Sequence, residues 1–212
     1  MGETTKESVR SKLAKATAKQ HESLHSHPWI ASMLDPGLTI QKYCLVLSAY
    51  LRFFQAVEAT RVRMGGFPDC SLESSIEALI RDTEDLHPLC LSPVPIEMTH
   101  AERSLDALIG VLYVVHGAGF GARTLCSAVR STLPEAKCSY LSAGTPPKLW
   151  RSVLDELECL GGNSVRQQIA IDSAARTFLG FGRFVTSYCE IASTRARVEV
   201  PSYDVERHAV VS

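Results

Sequence analysis

The sequence lacks an excess of charge of either sign, because 22 lysines and arginines stand against 23 aspartates and glutamates. It also contains no run of basic residues. A protein that binds nucleic acid needs a basic surface to neutralise the phosphates. We therefore expect no nucleic-acid partner.

Long hydrophobic runs are also missing. The first twenty residues have no apolar core, so we expect no signal peptide. The longest apolar run, Ala107 to Val115, is far shorter than the about 20 residues that a transmembrane helix needs. We expect no membrane association and a cytoplasmic protein.

The cysteines contain no C-x-x-C pair, which argues against zinc, iron–sulfur and covalent heme sites. An odd number of scattered cysteines indicates reduced thiols in a reducing compartment, where most act as small buried hydrophobic residues. The seven are Cys44, Cys70, Cys90, Cys126, Cys138, Cys159 and Cys189.

Apolar residues recur every three or four positions along most of the chain, and no stretch shows the alternation of a strand. The sequence therefore predicts an all-α protein with one helical domain at 1–192 and a polar, loose tail at 193–212. The caps Thr39 and Asn163 begin the second and last helices, and a capping box at Thr99-x-x-Glu102 begins the central one. The predicted helices cover residues 6–27, 39–63, 72–86, 99–133, 147–160 and 164–192.

The central helix contains three glycines at alternate positions, Gly117, Gly119 and Gly121, with helical periodicity on both sides. Together they cost on the order of 3 kcal/mol relative to alanine in a regular helix. Gly117 and Gly121 share a face, so they leave a strip of bare backbone beside a predicted kink. Either a bulky ligand lies on that strip, or a neighbouring helix packs closely against it.

His21 is the first candidate for a metal ligand, because it lies on the first helix one turn after Thr17 and one turn before His25. A single inward histidine can hold one axial position of a heme iron. Two alternatives remain: an ordinary core or surface histidine, and a pair of ligands formed with His25. The di-metal sites of helical bundles need Glu-x-x-His on two helices. Only the first predicted helix contains a complete segment of this form, Glu22-x-x-His25, which disfavours the pair.

The N-terminal pattern LxxATAxxHxxLHxxP and the distant stretch LYVVHGAGFGAR resemble the bacterial, biliverdin-producing heme oxygenase family. The resemblance extends to three further segments: residues 140–144, Trp150 with Val153 one turn later, and the last helix with Ala174, Phe178 and Phe184. It covers roughly residues 12–188, with the motifs in the order of the family.

This resemblance implies a heme-oxygenase-like helical bundle in which heme lies between the first helix and the kinked glycine helix. His21 would be the axial iron ligand, and Gly117 and Gly121 would let the backbone approach the porphyrin. Heme would be both substrate and cofactor, opened with O2 to biliverdin, carbon monoxide and iron. Electrons would come from a donor such as reduced ferredoxin, and biliverdin would serve a bacteriophytochrome unless the purpose is iron release.

Other residues are assigned to heme through the same resemblance. Cations would meet the two heme propionates, since arginine binds carboxylate bidentately, whereas we expect Lys19 to remain solvated. Tyr113 would line the distal side or simply pack. The predicted heme contacts besides His21 and the two glycines are Lys15, Thr17, Tyr113, Arg176, Phe181 and Arg183.

Three positions depart from the family pattern. His116 stands where glutamate is usual, Ala118 where serine is common, and Ala122 replaces a third glycine. These changes leave open a weakly catalytic heme- or biliverdin-binding protein, and a distal role for His116. A thiaminase-like hydrolase or di-iron oxidase on the same scaffold is a further alternative, although no cysteine is placed convincingly as a nucleophile.

Overall fold

The computed structural model describes residues 7–84 and 104–198. These residues contain no strand, so the all-α prediction is confirmed. They form nine α-helices and two short 3-10 turns, at Ser32–Leu34 and Pro68–Cys70. The helices are α1 (Val9–His25), α2 (Pro28–Ala31), α3 (Ile40–Met64), α4 (Glu73–Thr83), α5 (Leu105–Gly117), α6 (Gly119–Thr132), α7 (Ser139–Ala143), α8 (Pro147–Glu158) and α9 (Ser164–Val198).

Helix α9 is the central support of the bundle, and α1, α3 and α5 all pack against it. Two contacts fix the direction of α5. Asp106 forms an ion pair with Arg166 at 2.8 Å, and four residues later the backbone of Gly110 meets that of Ala170. The two helices therefore run parallel and in step.

Helix α1 runs in the same direction on another side of α9. Its N-terminus is held from α8, because the carboxylate of Glu158 accepts hydrogen bonds from the backbone N–H groups of Val9 and Arg10 at 3.1 and 3.0 Å. Lys12 donates to Gln167 at 2.9 Å, which sets α1 against α9. Anions at a helix N-terminus satisfy free N–H groups and complement the helix dipole.

Several predicted helix ends are present. Thr39 caps α3 by accepting from the N–H of Lys42, and Gly65 ends it in the left-handed conformation, at φ 63°. Asn163 caps α9 by accepting from the N–H groups of Val165 and Arg166. These caps act within a few residues, which is why the local sequence predicts them.

Two predicted ends are wrong. Helix α5 begins at Leu105, and its N-cap is Ser104, which accepts from the N–H of Ala107. The predicted capping box at Thr99 and Glu102 lies outside the described residues. Helix α9 continues to Val198, beyond the predicted domain end at residue 192.

Helices α5 and α6 together, Leu105–Thr132, form the one described stretch that is long and apolar enough to cross a membrane by length and composition. The short apolar run in the sequence did not indicate this. However, 61% of its most apolar window is buried inside the protein. Burial of this kind is typical of the core helix of a globular bundle.

Candidate functional site

The predicted kink is present at Ala118, where α5 ends and α6 begins. The hydroxyl of Thr145, from the connection between α7 and α8, donates to the carbonyl of His116 just before the break. A side chain at Gly119 would overlap Thr145 as well. The kink is therefore fixed by close approach of the Gly144–Thr145 backbone.

Gly117 and Gly121 have a different environment. An added Cβ would meet nothing within 4 Å at Gly121, and at Gly117 only the ring edge of Trp150, at 3.9 Å. Within the described residues, no backbone of another helix comes within 4 Å of a side chain added at either position. Close backbone-to-backbone helix packing is therefore not seen at this pair, and a strip of bare backbone remains.

Aromatic side chains border this strip. Trp150 from α8 lies between Tyr113 and Phe120, with ring centroids 5.3 and 5.0 Å apart. Tyr113, Gly117 and Phe120 share one helical face, since they are spaced by three, four or seven residues, and Gly121 follows Gly117 by one turn. Phe120 is 57% exposed, so the wall has an apolar outer edge.

The register of the bundle brings His21 to the height of this strip. Nine residues beyond its Lys12–Gln167 contact, α1 reaches His21, level with about residue 176 of α9. Seven residues beyond the Gly110–Ala170 contact, α5 reaches Gly117, level with about residue 177. The ring of His21 contacts that of Phe178, with centroids 5.7 Å apart.

A slot follows from this arrangement. Within the described residues, α1 and α5 both pack along α9 but make little direct contact with each other. We infer that a space lies between them, over Phe178, and call it the α1–α5 slot. In this arrangement His21 would lie on one side of the slot, and the bare backbone of Gly117 and Gly121 on the other.

His21 is suited to act as a neutral ligand. Partial burial lowers its pKa, and the neighbouring ring of His25 lowers it further, while Glu22 opposes the change. A neutral imidazole offers a free nitrogen lone pair to a metal ion. The described residues contain no group of three or more His, Cys, Asp or Glu side chains placed to hold a metal.

The predicted propionate partners do not converge on the slot. Lys15 forms an exposed ion pair with Glu7 at 2.7 Å. Arg176 and Arg183 lie about 160° and 140° around α9 from Phe178. Arg183 borders a cavity of about 400 Å³ between α1 and α9, together with Gln20, His27 and Phe178. The assignment of the two arginines to the propionates stays a prediction.

Arg10 is a further cation near the aromatic border of the strip. It precedes His21 by eleven residues, about three helical turns, and therefore shares its face of α1. Its charge acts on Tyr113: burial raises the pKa of the Tyr113 phenol, and Arg10 partly opposes that increase. In the sequence, the eleven-residue spacing from His21 was the available signal for it.

Two further residues are buried in the structure. Thr17 is buried and its hydroxyl donates to the carbonyl of Leu13 at 2.9 Å. Phe181 packs between Tyr50 and Phe53 of α3, with centroids 4.7 and 4.9 Å away. Both side chains therefore have packing partners within the protein, and their assignment as heme contacts stays a prediction.

His116 points into the interior as well. Its Nε2 is 3.1 Å from the carbonyl oxygen of Cys70, and its side chain is 2% exposed. Burial lowers its pKa, although the Cys70 carbonyl opposes the shift. The hypothesis of a distal role for His116 is therefore wrong: it anchors α5 to the turn at Cys70.

The fold is similar to solved structures of bacterial heme oxygenases. One is the heme oxygenase of Leptospira interrogans, with a TM-score of 0.67 and 17% identity over 85% of this chain and 100% of that one. Another is heme oxygenase-1 of the cyanobacterium Synechocystis in complex with heme, with a TM-score of 0.65 and 11% identity over 91% and 97%.

These identities are low, so the likeness concerns the fold alone. No protein-family model matches the sequence, and no curated protein matches it. The chain has the all-α heme oxygenase fold, with a kinked glycine-bearing helix.

Proposed function

We propose that this protein binds heme in the α1–α5 slot and opens it oxidatively to biliverdin, with release of carbon monoxide and iron. The observation that carries the proposal is the open glycine strip at the height of His21. Glycines in the interior of a helix lower its stability. At Gly117 and Gly121 no close backbone contact offsets that cost in the free protein. A flat ligand lying against the bare backbone explains their presence.

Each wall of the slot has a role in this proposal. The neutral imidazole of His21 would hold the iron on one side. Gly117 and Gly121 would allow close approach of the backbone on the other, and Tyr113, Trp150 and Phe120 would exclude water from one edge. Arg10 would attract a propionate from the face that it shares with His21.

When bound, heme supplies the iron that activates O2 and is itself the substrate whose ring is opened. The slot orients that substrate, since fixed geometry is the main contribution of a protein to cofactor chemistry. We propose that electrons come from an external protein such as reduced ferredoxin. We place the protein in the cytoplasm, where biliverdin could pass to a bacteriophytochrome.

A second candidate is a catalytically weak heme- or biliverdin-binding protein. It is favoured by the side chains along the strip, where Gly117, Ala118, Gly121 and Ala122 carry no hydrogen-bond donor. His116, which could have supplied one, is turned inward to Cys70. Proton delivery to the open side of the slot would then depend on Tyr113 or on ordered water.

One experiment separates the two candidates. The purified protein is mixed with one equivalent of hemin, and the visible spectrum is followed in air after addition of a ferredoxin–reductase couple, with catalase present to remove free peroxide. The proposal predicts a Soret band that disappears as biliverdin absorption grows. A Soret band that survives turnover conditions would establish the binding protein, and the lack of any Soret band would exclude both.

A further inference from the structure

The last two turns of α1 carry two histidines whose arrangement goes beyond heme binding. His21 and His25 are four residues apart and lie on one face of the helix. Their ring centroids are 4.6 Å apart, at an interplanar angle of 75°. Both side chains are exposed to solvent, so an ion can reach both rings from water.

The residues between them complete a known metal-binding pattern. The segment His21-Glu22-Ser23-Leu24-His25 has the form H-E-x-x-H, and it lies within a helix, as that motif requires. In zinc proteins this spacing places two imidazoles on one metal ion. Imidazole suits zinc, copper and nickel, and it does not suit magnesium or calcium.

We propose that His21 and His25 together form a binding site for a divalent transition-metal ion such as Zn²⁺, in the protein without heme. Water completes the coordination, since the described residues offer no third His, Cys, Asp or Glu at this position. We therefore assign metal binding and not the hydrolysis that a complete three-ligand site supports.

Competition with heme follows from the shared residue. If His21 is the axial ligand of heme, as proposed above, it cannot hold Zn²⁺ at the same time. Zinc would then weaken hemin binding, and hemin would displace zinc to the same extent, because coupling between two binding events is reciprocal. This consequence depends on the proposed function, whereas the metal site itself does not.

The first test is a calorimetric titration of the tag-free, full-length protein with ZnCl2, in the absence of heme. His21→Ala and His25→Ala should each weaken binding at this site at least about tenfold, and MgCl2 should give no heat. The matched control is the double variant His25→Ala with Ser26→His, which keeps the number of histidines but changes their spacing to five. It should bind Zn²⁺ as weakly as His25→Ala.

Electron paramagnetic resonance of the protein with one equivalent of Cu²⁺ tests the coordination directly. The proposal predicts nitrogen hyperfine splitting from two imidazoles, reduced to one in His25→Ala. Zinc affinities that are equal in the wild type and in both single variants would overturn the site. So would a spacing variant that binds as tightly as the wild type.

Repeating the hemin titration with and without ZnCl2 then separates the two proposals. A lower hemin affinity in the presence of zinc, lost in His25→Ala, supports the shared ligand. Zinc binding that requires both histidines but leaves the hemin affinity unchanged would overturn the competition and the role of His21 in heme ligation, while the metal site would stand.

Discussion

Gly110 and Gly117 lie on the same face of α5, two turns apart, yet one is closely packed and the other is open. A side chain at Gly110 would collide with the backbone of Ala170 in α9. At Gly117 only the edge of Trp150 is near, and at Gly121 nothing lies within 4 Å. Gly119 belongs with Gly110, because its neighbour is the backbone at Thr145.

The difference separates two uses of glycine. Gly110 and Gly119, the packed pair, allow backbone contacts that hold the bundle and its kink. Gly117 and Gly121, the open pair, make no such contact in the free protein. Fold stability therefore depends on the first pair, and we propose that ligand binding depends on the second.

The largest effect is expected from Gly110→Ala. Its Cβ would overlap backbone atoms of Ala170, which cannot rotate away, so we expect a loss of about 3 kcal/mol in the free energy of unfolding. This corresponds to a fall in Tm of roughly 10 °C. Gly121→Ala is the control and should gain up to about 1 kcal/mol. Equal destabilisation of the two variants in urea unfolding would contradict the distinction.

The next largest effect is expected from His21→Ala, which removes the proposed iron ligand on the side of the slot opposite the open pair. Without the imidazole, we expect the hemin affinity to fall at least about tenfold and the Soret band to shift, with partial recovery on addition of free imidazole. His25→Ala should retain the hemin spectrum. Identical hemin titrations for His21→Ala and the wild type would remove His21 from the site.

The variant His116→Gln tests whether His116 is buried in its neutral form. This residue directly precedes Gly117 of the open pair but faces the interior. Its folded-state pKa is lowered, so the unfolded state takes up the proton first as the pH falls below 6.5. Stability should then decrease by up to about 1.4 kcal/mol per pH unit, until the folded pKa is reached. Urea unfolding between pH 7.5 and 5.5 should show a shallower decrease for His116→Gln. The same slope in both proteins would contradict the buried, neutral state.

Arg10→Ala should have the smallest effect, because Arg10 is exposed and its attraction for a propionate is screened by solvent. We expect hemin affinity to fall about two- to fivefold, more at low than at high ionic strength. Lys15→Ala is the matched control on the same helix and should leave the affinity unchanged. If Lys15→Ala has the larger effect, the assignment of Arg10 to the slot is wrong.

Local chemistry explains what the sequence could predict. The caps at Thr39 and Asn163, the C-terminal Gly65 and the kink at Ala118 all depend on residues within a few positions of each other. The predicted end of α9 is too early, because it rests on the change to polar residues at about residue 193. Polar residues can continue a helix, and the first proline after this point is Pro201. Ser104 was overlooked as a cap because Thr99-x-x-Glu102 matched the stronger pattern.

The sequence predicts only part of the proposed site. His21 and the open glycines are predicted from the spacing of residues within their own helices and from a family resemblance. Which way Arg176, Arg183 and Phe181 point depends on how α9 is rotated against α1, α3 and α5, and that rotation is set by tertiary packing. Arg10 and the contact of Gly110 with Ala170 likewise required the register between helices.

The most direct test of the open pair is a hemin titration of Gly121→Leu, combined with urea unfolding of the same variant. Since the space at Gly121 is empty in the free protein, we predict unchanged or increased stability together with hemin affinity reduced at least about tenfold, or about 1.4 kcal/mol. Unchanged hemin affinity in a stably folded Gly121→Leu protein would contradict heme binding on the glycine strip.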